Sequence, residues 1–276
     1  MRHKHKVRQT IIHYLLSFVL MLCIVVAVVA GVGKLSCLSE RSVQHAATKT
    51  HYYYELKNEM EQLAMDAAVP YGINKADLRG VFQDNEVQSD VDKVFSERLN
   101  NQKEIIDVSN IEKRIRTNVE KREGKLNSSQ TKSLNSYIKK MQKMYIEKLH
   151  YPTEKIMVDS INKTNKFAWI AIPLSVVLGF FIMFYLVVSR HYAYHGIRYV
   201  VYGFIGAGTL ITVGFAAIIS NGSIYNYNLT ASYVKNFYVY YIGHPLLVSV
   251  IFGISILVLG FIGIFIVYRQ KYAIRR

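Results

Sequence analysis

Apolar residues are gathered into four uninterrupted runs, at 10–33, 167–188, 199–219 and 245–268, and none of the runs contains Lys, Arg, Asp or Glu. A helix needs about 20 residues to cross the ~30 Å hydrocarbon layer of a bilayer, and each run reaches that length. The pattern therefore predicts a polytopic membrane protein with four transmembrane helices.

Residues 34–166, between the first two runs, show a different pattern, with apolar residues three or four positions apart among charged ones. One such stripe consists of Tyr53, Leu56, Met60, Leu63 and Ala67. This spacing is typical of amphipathic helices, and no stretch shows the sustained alternation of a strand. We predict an all-α fold, in which an extracytoplasmic bundle of about five or six helices is inserted between transmembrane helices 1 and 2.

Capping and helix-breaking residues divide this domain into its helices. Asn74 and Asp84 are predicted N-caps, because a short polar side chain can accept a hydrogen bond from the first turn. Ser128 or Ser129 is expected to begin a long helix, and Pro152 is expected to end it.

The acidic residues mark the limits of the water-exposed domain. All nineteen lie between Glu40 and Asp159. Proton-coupled transporters use ionisable side chains inside the membrane, and the candidates here are His13, near the start of the first run, and His244, just before the fourth. We therefore expect no ion-coupled transport by this chain alone, and we expect both histidines at the membrane interface.

The basic residues outside the domain predict the topology. They cluster at 1–9, 189–198 and 269–276, beside the apolar runs. Because cytoplasmic loops are enriched in Lys and Arg, these three segments are expected in the cytoplasm. Residues 34–166 and the loop 220–244 then lie outside a cell membrane, in a multi-pass arrangement.

The first run also has features of a signal peptide, because a basic segment precedes it and small residues occur near Ala27 and Ala30. It is long for a signal peptide, so we expect an uncleaved anchor.

Cys23 and Cys37 would be about 21 Å apart along one helix, which excludes a disulfide between them. A domain without disulfides is ordinary in Gram-positive bacteria. In a eukaryote, four N-x-S/T sequons would be glycosylation acceptors; they lie at Asn127, Asn162, Asn221 and Asn228.

A dense basic run, EKRIRTNVEKREGK at 112–125, is the candidate partner site of the outer domain. Its bases are Lys113, Arg114, Arg116, Lys121, Arg122 and Lys125. One interpretation is a solvated helix face with pairs four residues apart, such as Glu112 with Arg116. The other is a patch that attracts phosphate-rich partners, such as lipid head groups or anionic wall polymers.

Small residues in the third and fourth runs are candidates for helix packing, because they let two backbones approach closely in lipid. The predicted packing positions are Gly203, Gly206, Gly253 and Gly260. Tyrosines at 225–241 fit an aromatic belt at the membrane interface. The alternative for that loop is a stacking platform for sugars.

No nucleophile, metal, nucleotide or redox motif is present among the common signatures. We therefore expect no enzyme activity, no cofactor and no metal. The formal net charge of +15 is also compatible with nucleic-acid binding. Topology explains the bases beside the apolar runs, so no nucleic-acid partner is expected.

One anchor followed by an outer domain and three more spans resembles the layout of FtsX-type division permeases, which pair with a cytoplasmic ATPase. The short loop SRHYAYHGIR at 189–198 departs from that family, because it is short for an ATPase-coupling element. The segment YGINKADLRGVFQDNEVQSDVDKVF is similar to outer segments of small four-span membrane proteins of Gram-positive bacteria. That second resemblance implies no activity.

Three functions remain compatible with the sequence. The expected one is a non-enzymatic accessory or scaffold subunit of the bacterial cell envelope, surrounded by the lipid bilayer and binding a protein partner through its outer domain. The alternatives are a permease-like subunit of an ATPase-driven complex and an extracytoplasmic sensor that acts through a partner.

Overall fold

The computed structural model describes residues 2–37, 39–103, 106–151, 154–189, 193–222 and 231–275. Within these ranges the chain is helical and contains no strand, which confirms the all-α prediction. The helices are α1 (Arg2–Val32), α2 (Glu40–Lys49), α3 (Tyr52–Ala68), α4 (Asp84–Leu99), α5 (Ser109–Glu123), α6 (Ser128–Lys148), α7 (Glu154–Val188), α8 (Ala193–Ser220) and α9 (Ser232–Arg275). Short 3₁₀ turns follow α3 at Val69–Tyr71 and Lys75–Leu78, and a π-helical turn, Gly33–Cys37, follows α1.

Among the described residues, four helices are long and apolar enough to cross a membrane, as predicted. They are Arg8–Leu35, Glu154–Val188, Tyr194–Ser220 and Ser232–Tyr272. The last begins well before the apolar run at 245–268, so part of the predicted loop 220–244 is helical. Residues 232–244 include a lysine and several tyrosines, which lower the hydropathy without breaking a helix. Of the predicted loops, residues 190–192 and 223–230 lie outside the described residues.

The chain divides into two compact units. The first, here called the membrane unit, comprises Met1–Ser42, Ile161–Asn228 and Tyr238–Arg276. The second, here called the helical unit, comprises Val43–Ser160 together with Leu229–Phe237. The outer domain predicted at 34–166 does not include the start of α9, which belongs to the helical unit.

In the membrane unit, α1 packs against both α7 and α8. One apolar cluster joins these three helices and contains Leu20, Cys23, Ile182, Leu186 and Tyr199. A second cluster, formed by Ala207, Ile211 and Ile256, joins α8 to α9. Side chains of α1 also pack against this second cluster, so α1 and α8 share contacts along both clusters.

Two of the predicted packing glycines lie where α8 meets α1. A Cβ atom at Gly203 would lie 3.2 Å from the carbonyl oxygen of Ser17. A Cβ atom at Gly206 would lie 2.8 Å from Sδ of Met21. Both positions therefore have room for hydrogen but little room for a methyl group.

The other two predicted glycines lie where α9 meets α8. A Cβ atom at Gly253 would lie 2.9 Å from the backbone nitrogen of Thr212, and one at Gly260 would lie 2.6 Å from Cγ1 of Ile205. Gly208, which the sequence analysis passed over, is as tightly placed, because its Cβ would lie 2.9 Å from the carbonyl oxygen of Gly253. The two helices thus approach through glycines on both sides.

His13 lies buried among the helices of the membrane unit and is 3% exposed. Its Nδ1 donates to the carbonyl of Gln9 at 2.5 Å, and its Nε2 lies 2.8 Å from the hydroxyl of Ser189. The hydroxyl of Ser17, one turn along α1, donates to the carbonyl of Tyr199 at 2.7 Å. Each of these polar side chains has a partner, which is what burial in an apolar surrounding requires.

The buried face of α3 follows the predicted positions for about two turns and then shifts by one residue. Tyr53, Leu56 and Met60 of α3 are buried, as expected. Further along, Ala64 and Ala68 are buried in place of the predicted Leu63 and Ala67. A continued spacing of four residues keeps these side chains on the face that packs against the neighbouring helices.

Of the predicted helix boundaries, one cap is confirmed and another is wrong. Asn74 caps as predicted, since its side chain accepts from the backbone N–H of Ala76 at 2.9 Å. The N-cap prediction for Asp84 is wrong, because Gln83 holds that position and Asp84 is the first helical residue. Asp84 in the first turn still interacts favourably with the helix dipole. Pro152, the predicted end of the long helix, lies outside the described residues.

The long helix α6 begins at Ser128, as expected. Its N-cap is Asn127, which was not among the predicted caps. Asn127 accepts from the backbone N–H of Gln130 at 2.8 Å, and Gln130 accepts in return from the N–H of Asn127 at 2.9 Å. This reciprocal capping box satisfies two donors at the helix start.

Candidate functional site

Arginines of α5 form ion pairs with acids from the first half of the helical unit. Arg114 donates through both terminal nitrogens to the carboxylate of Glu86 on α4, at 2.9 Å for the Oε1 contact. Arg122 lies 3.1 Å from Oδ2 of Asp77, a carboxylate that is almost fully buried. The two groups are close enough for an ion pair, but they are not aligned for a hydrogen bond. Among the described residues, Oδ2 of Asp77 accepts no hydrogen bond. Burial raises the pKa of Asp77, and the charge of Arg122 opposes that rise.

Arg116 also forms an ion pair, but the carboxylate that it contacts is more exposed than Asp77. It donates to Glu112 one turn earlier at 3.1 Å, and this is the pair predicted from the sequence. It also donates to the side chain of Asn135 on α6 at 3.0 Å. The three arginines of the predicted basic patch therefore tie α5 to its neighbours.

The lysines of the patch are placed differently. Lys113, Lys121 and Lys125 are exposed. The structure thus separates the six predicted residues into two groups, with arginines directed into ion pairs and lysines directed to solvent. Guanidinium groups match carboxylates in a fixed fork, whereas ammonium groups are flexible, strongly hydrated point charges.

Helix α6 adds a second set of exposed lysines. Lys132, Lys139 and Lys143 fall on one face at a spacing of seven and then four residues, and we call them the α6 lysine stripe. Lys143 lies 3.8 Å from Glu147, but both side chains are largely exposed, so water screens this pair. Residues 109–148 together contain eleven bases and four acids. The acids of 109–148 therefore balance only part of the positive charge of this segment.

A cleft of about 670 Å³ opens beside α3 and the end of α6, and the start of α9 completes it. We call it the tyrosine cleft. It is lined by Tyr52, Leu56, Glu59, Met144, Glu147, Lys148, His150, Ala231, Tyr233 and Val234. All ten residues belong to the helical unit.

Glu59 bridges two elements at the edge of this cleft. Its Oε1 accepts from Nζ of Lys148 on α6, and its Oε2 accepts from the hydroxyl of Tyr233 on α9. Burial acts to raise the pKa of Glu59, but the hydrogen bonds from Lys148 and Tyr233 outweigh it, so the pKa is lowered. The positive charge of Lys148 therefore balances the negative charge of Glu59.

An aromatic cluster forms the wall behind the bridge. The ring of Tyr52 lies 5.1 Å from that of Tyr151, 5.2 Å from that of Phe237 and 5.3 Å from that of Tyr233. Tyr151 and Phe237 are stacked at 5.1 Å. These centroid distances are in the range where aromatic pairs attract each other beyond simple burial.

A buried carboxylate orients His150 at the cleft. Glu154 is 3% exposed, and its Oε2 accepts from Arg98 and from Nδ1 of His150, each at 2.8 Å. Its Oε1 has no hydrogen-bond partner among the described residues. The contact with Glu154 fixes the orientation of the imidazole ring at the edge of the cleft.

Sequence reasoning missed this cleft because its residues are far apart along the chain. Glu59 and Tyr233 are separated by 174 positions. The only signal was the tyrosine content of 225–241, which we had assigned to an interface belt or a sugar platform. Tyr225 and Tyr227 lie outside the described residues, and the tyrosine that reaches the cleft is Tyr233.

Metal ligation finds no support in the described ranges, where no group of three or more His, Cys, Asp or Glu is close enough to hold an ion. No protein-family model, no curated protein and no solved structure matches this chain. The case for a function therefore rests on the chain's own residues.

Proposed function

We propose that this chain is a non-enzymatic integral membrane protein of a bacterial cell envelope, an accessory or scaffold subunit whose helical unit binds an anionic partner. The observation that carries the proposal is that the arginines and the lysines of the basic region are placed differently. Arg114, Arg116 and Arg122 are engaged in ion pairs. The lysines nearby are exposed, and their charge is available to a partner.

The distribution of Lys and Arg beside the apolar runs supports an extracytoplasmic position for the helical unit. On that side of the membrane, phosphate-rich polymers are available as partners. An exposed positive surface attracts them over about a Debye length, which is near 8 Å at physiological ionic strength.

The α6 lysine stripe favours an extended polymer over a single head group. Lys132 and Lys143 are eleven residues apart, which corresponds to about 16 Å along a helix. A chain of repeated phosphates can contact all three lysines of such a stripe at once. One lipid head group can contact only one or two of them.

The test uses the full-length protein in nanodiscs of zwitterionic lipid, with poly(glycerol phosphate) as the probe. The variant Lys132→Gln/Lys139→Gln/Lys143→Gln is expected to lose at least about tenfold in affinity at low salt, with a shallower salt dependence than the wild type. The control, Lys49→Gln/Lys75→Gln/Lys93→Gln, removes the same charge from exposed lysines of α2, the turn Lys75–Leu78 and α4. It is expected to bind within about twofold of the wild type.

Equal losses in the two triple variants would reduce the effect to net charge and overturn the proposed stripe. Absence of binding to the polymer by the wild type would overturn the proposal. Preference for vesicles containing anionic lipid over the polymer would replace the polymer with a membrane surface.

A sensor is the second candidate, and the tyrosine cleft is the observation that favours it. A domain between two apolar helices with its own cleft can respond to a small molecule. Such a sensor would act through a signalling partner.

A further inference from the structure

We propose that the tyrosine cleft is a binding site for a neutral saccharide, of the size of one or two pyranose rings. None of the three lysines of the α6 lysine stripe lines this site, although Lys143 lies 3.8 Å from the lining residue Glu147, and the site would give the protein a second ligand. Its volume of about 670 Å³ falls within the range of small-molecule sites.

The floor of the cleft is apolar. Tyr52 and Leu56 are each 1% exposed, and Val234 is 6% exposed. Met144 lies beside them on the cleft wall. A pyranose ring presents a face of C–H groups that can lie against such a floor, whereas a small inorganic ion gains nothing from it.

The rim of the cleft is polar and bears hydrogen-bonding groups of both kinds. Glu59, Lys148 and Tyr233 are already linked to one another, and His150 is held by Glu154. Ring hydroxyls both donate and accept, so they can add hydrogen bonds to such a linked set without requiring a new charge. Because partners neutralise Glu59, the rim does not demand a cationic ligand.

The rim is also held in position before any ligand binds. The two carboxylate oxygens of Glu59 join α6 to α9, and Glu154 joins Arg98 to His150. Side chains that are already ordered lose little entropy when a ligand binds, which favours weakly bound polar ligands such as sugars.

The experiment uses the full-length protein in nanodiscs, because detergents with sugar head groups would compete for the site. The probes are N-acetylglucosamine and its β1,4-linked dimer, and saturation-transfer difference NMR is the readout, with empty nanodiscs as blank. Choline and glycerol are the comparison probes. We expect protein-dependent signals from the two saccharides and none from choline or glycerol.

Two variants locate the site. Ala231→Trp places a ring at the cleft lining and is expected to abolish the saccharide signal. Glu59→Gln, which weakens the rim, is expected to raise the dissociation constant at least about fivefold. The matched control is Gln62→Trp, which adds the same ring to an exposed position of α3 outside the cleft lining and is expected to bind normally.

Several results would overturn the inference. They are the absence of a saccharide signal from the wild type, a signal that survives Ala231→Trp, and an equal loss in Gln62→Trp. A choline signal that disappears in Ala231→Trp would assign the cleft to quaternary amines instead. The double variant Lys132→Gln/Lys139→Gln, which leaves Lys143 beside the lining residue Glu147, should weaken polymer binding and retain saccharide binding, so failure of the polymer proposal and failure of this one are distinguishable.

Discussion

Tyr233 donates a hydrogen bond to the carboxylate of Glu59, although 174 residues separate them. This bond joins the start of α9 to α3 within the helical unit. Lys148 donates to the other oxygen of the same carboxylate, so one side chain connects three helices. The helical unit is therefore assembled from two distant parts of the chain, and its cleft exists only when both are in place.

Replacing Tyr233 with Phe keeps the ring in the aromatic cluster but removes its hydroxyl. We expect a loss of about 1 kcal/mol in stability and faster amide hydrogen exchange over 232–237, because Glu59 loses one of its two partners. Hydrogen-exchange mass spectrometry on the full chain measures this. Tyr54→Phe, at an exposed position of the same α3 helix, is the control and should leave the exchange unchanged.

The pH dependence of the Glu59 bridge follows from its lowered pKa. A carboxylate whose pKa is lowered by folding stabilises the fold above its unfolded pKa, about 4.3, and this contribution disappears as the pH falls through the folded pKa. We therefore expect Lys148→Met to lower the thermal midpoint near pH 7, and we expect its difference from the wild type to shrink as the pH falls below about 4. A difference that stays constant across this range would contradict the role of the bridge. Lys143→Met, on the exposed face of α6, is the matched control.

Arg122 and Lys121 are neighbours in sequence with different expected roles. Arg122→Met leaves the buried carboxylate of Asp77 without its cation, so we expect a destabilisation of about 1–3 kcal/mol at neutral pH. Removing Arg122 should also raise the pKa of Asp77 further, which makes the loss smaller in acid. Lys121→Met should change stability by less than about 0.5 kcal/mol. Thermal unfolding of the full chain at two pH values tests this pair, and equal effects would contradict the structural role of Arg122.

Gly208→Ala is expected to separate α8 from α9. The new Cβ would lie 2.8 Å from the backbone nitrogen of Leu257 and 2.9 Å from the carbonyl of Gly253, and backbone cannot move aside as a flexible side chain can. Gly214→Ala is the control, since a Cβ there meets nothing within 4 Å. We expect a lower thermal midpoint in detergent for Gly208→Ala alone. Equal midpoints for the two variants would show that α8 and α9 are not closely packed at Gly208.

The topology can be tested with Cys37, whose side chain lies outside the described residues. We expect an impermeant thiol reagent to label Cys37 in intact cells, because the positive-inside rule places it outside. Cys23, which is buried in the membrane unit, should not react. A cysteine introduced at exposed Lys271, in a chain with Cys37 replaced by Ser, should label only after lysis. The reverse pattern would invert the topology.

The local features of the fold can be predicted from short stretches of sequence. Four apolar runs predicted four membrane-length helices, because length and hydropathy are properties of one segment. Spacing predicted the buried side of α3 at Tyr53, Leu56 and Met60, because a helix places such residues on one face. Asn74 was found as a cap because its partner is two residues away.

The contacts between distant segments emerge from the three-dimensional fold. It paired Glu59 with Tyr233, separated arginines in ion pairs from exposed lysines, and added Gly208 to the packing glycines. None of these relationships has a period along the chain, because each depends on how two helices approach each other. A helical pattern specifies which face is buried, whereas the packing of that face against a distant helix selects the partner.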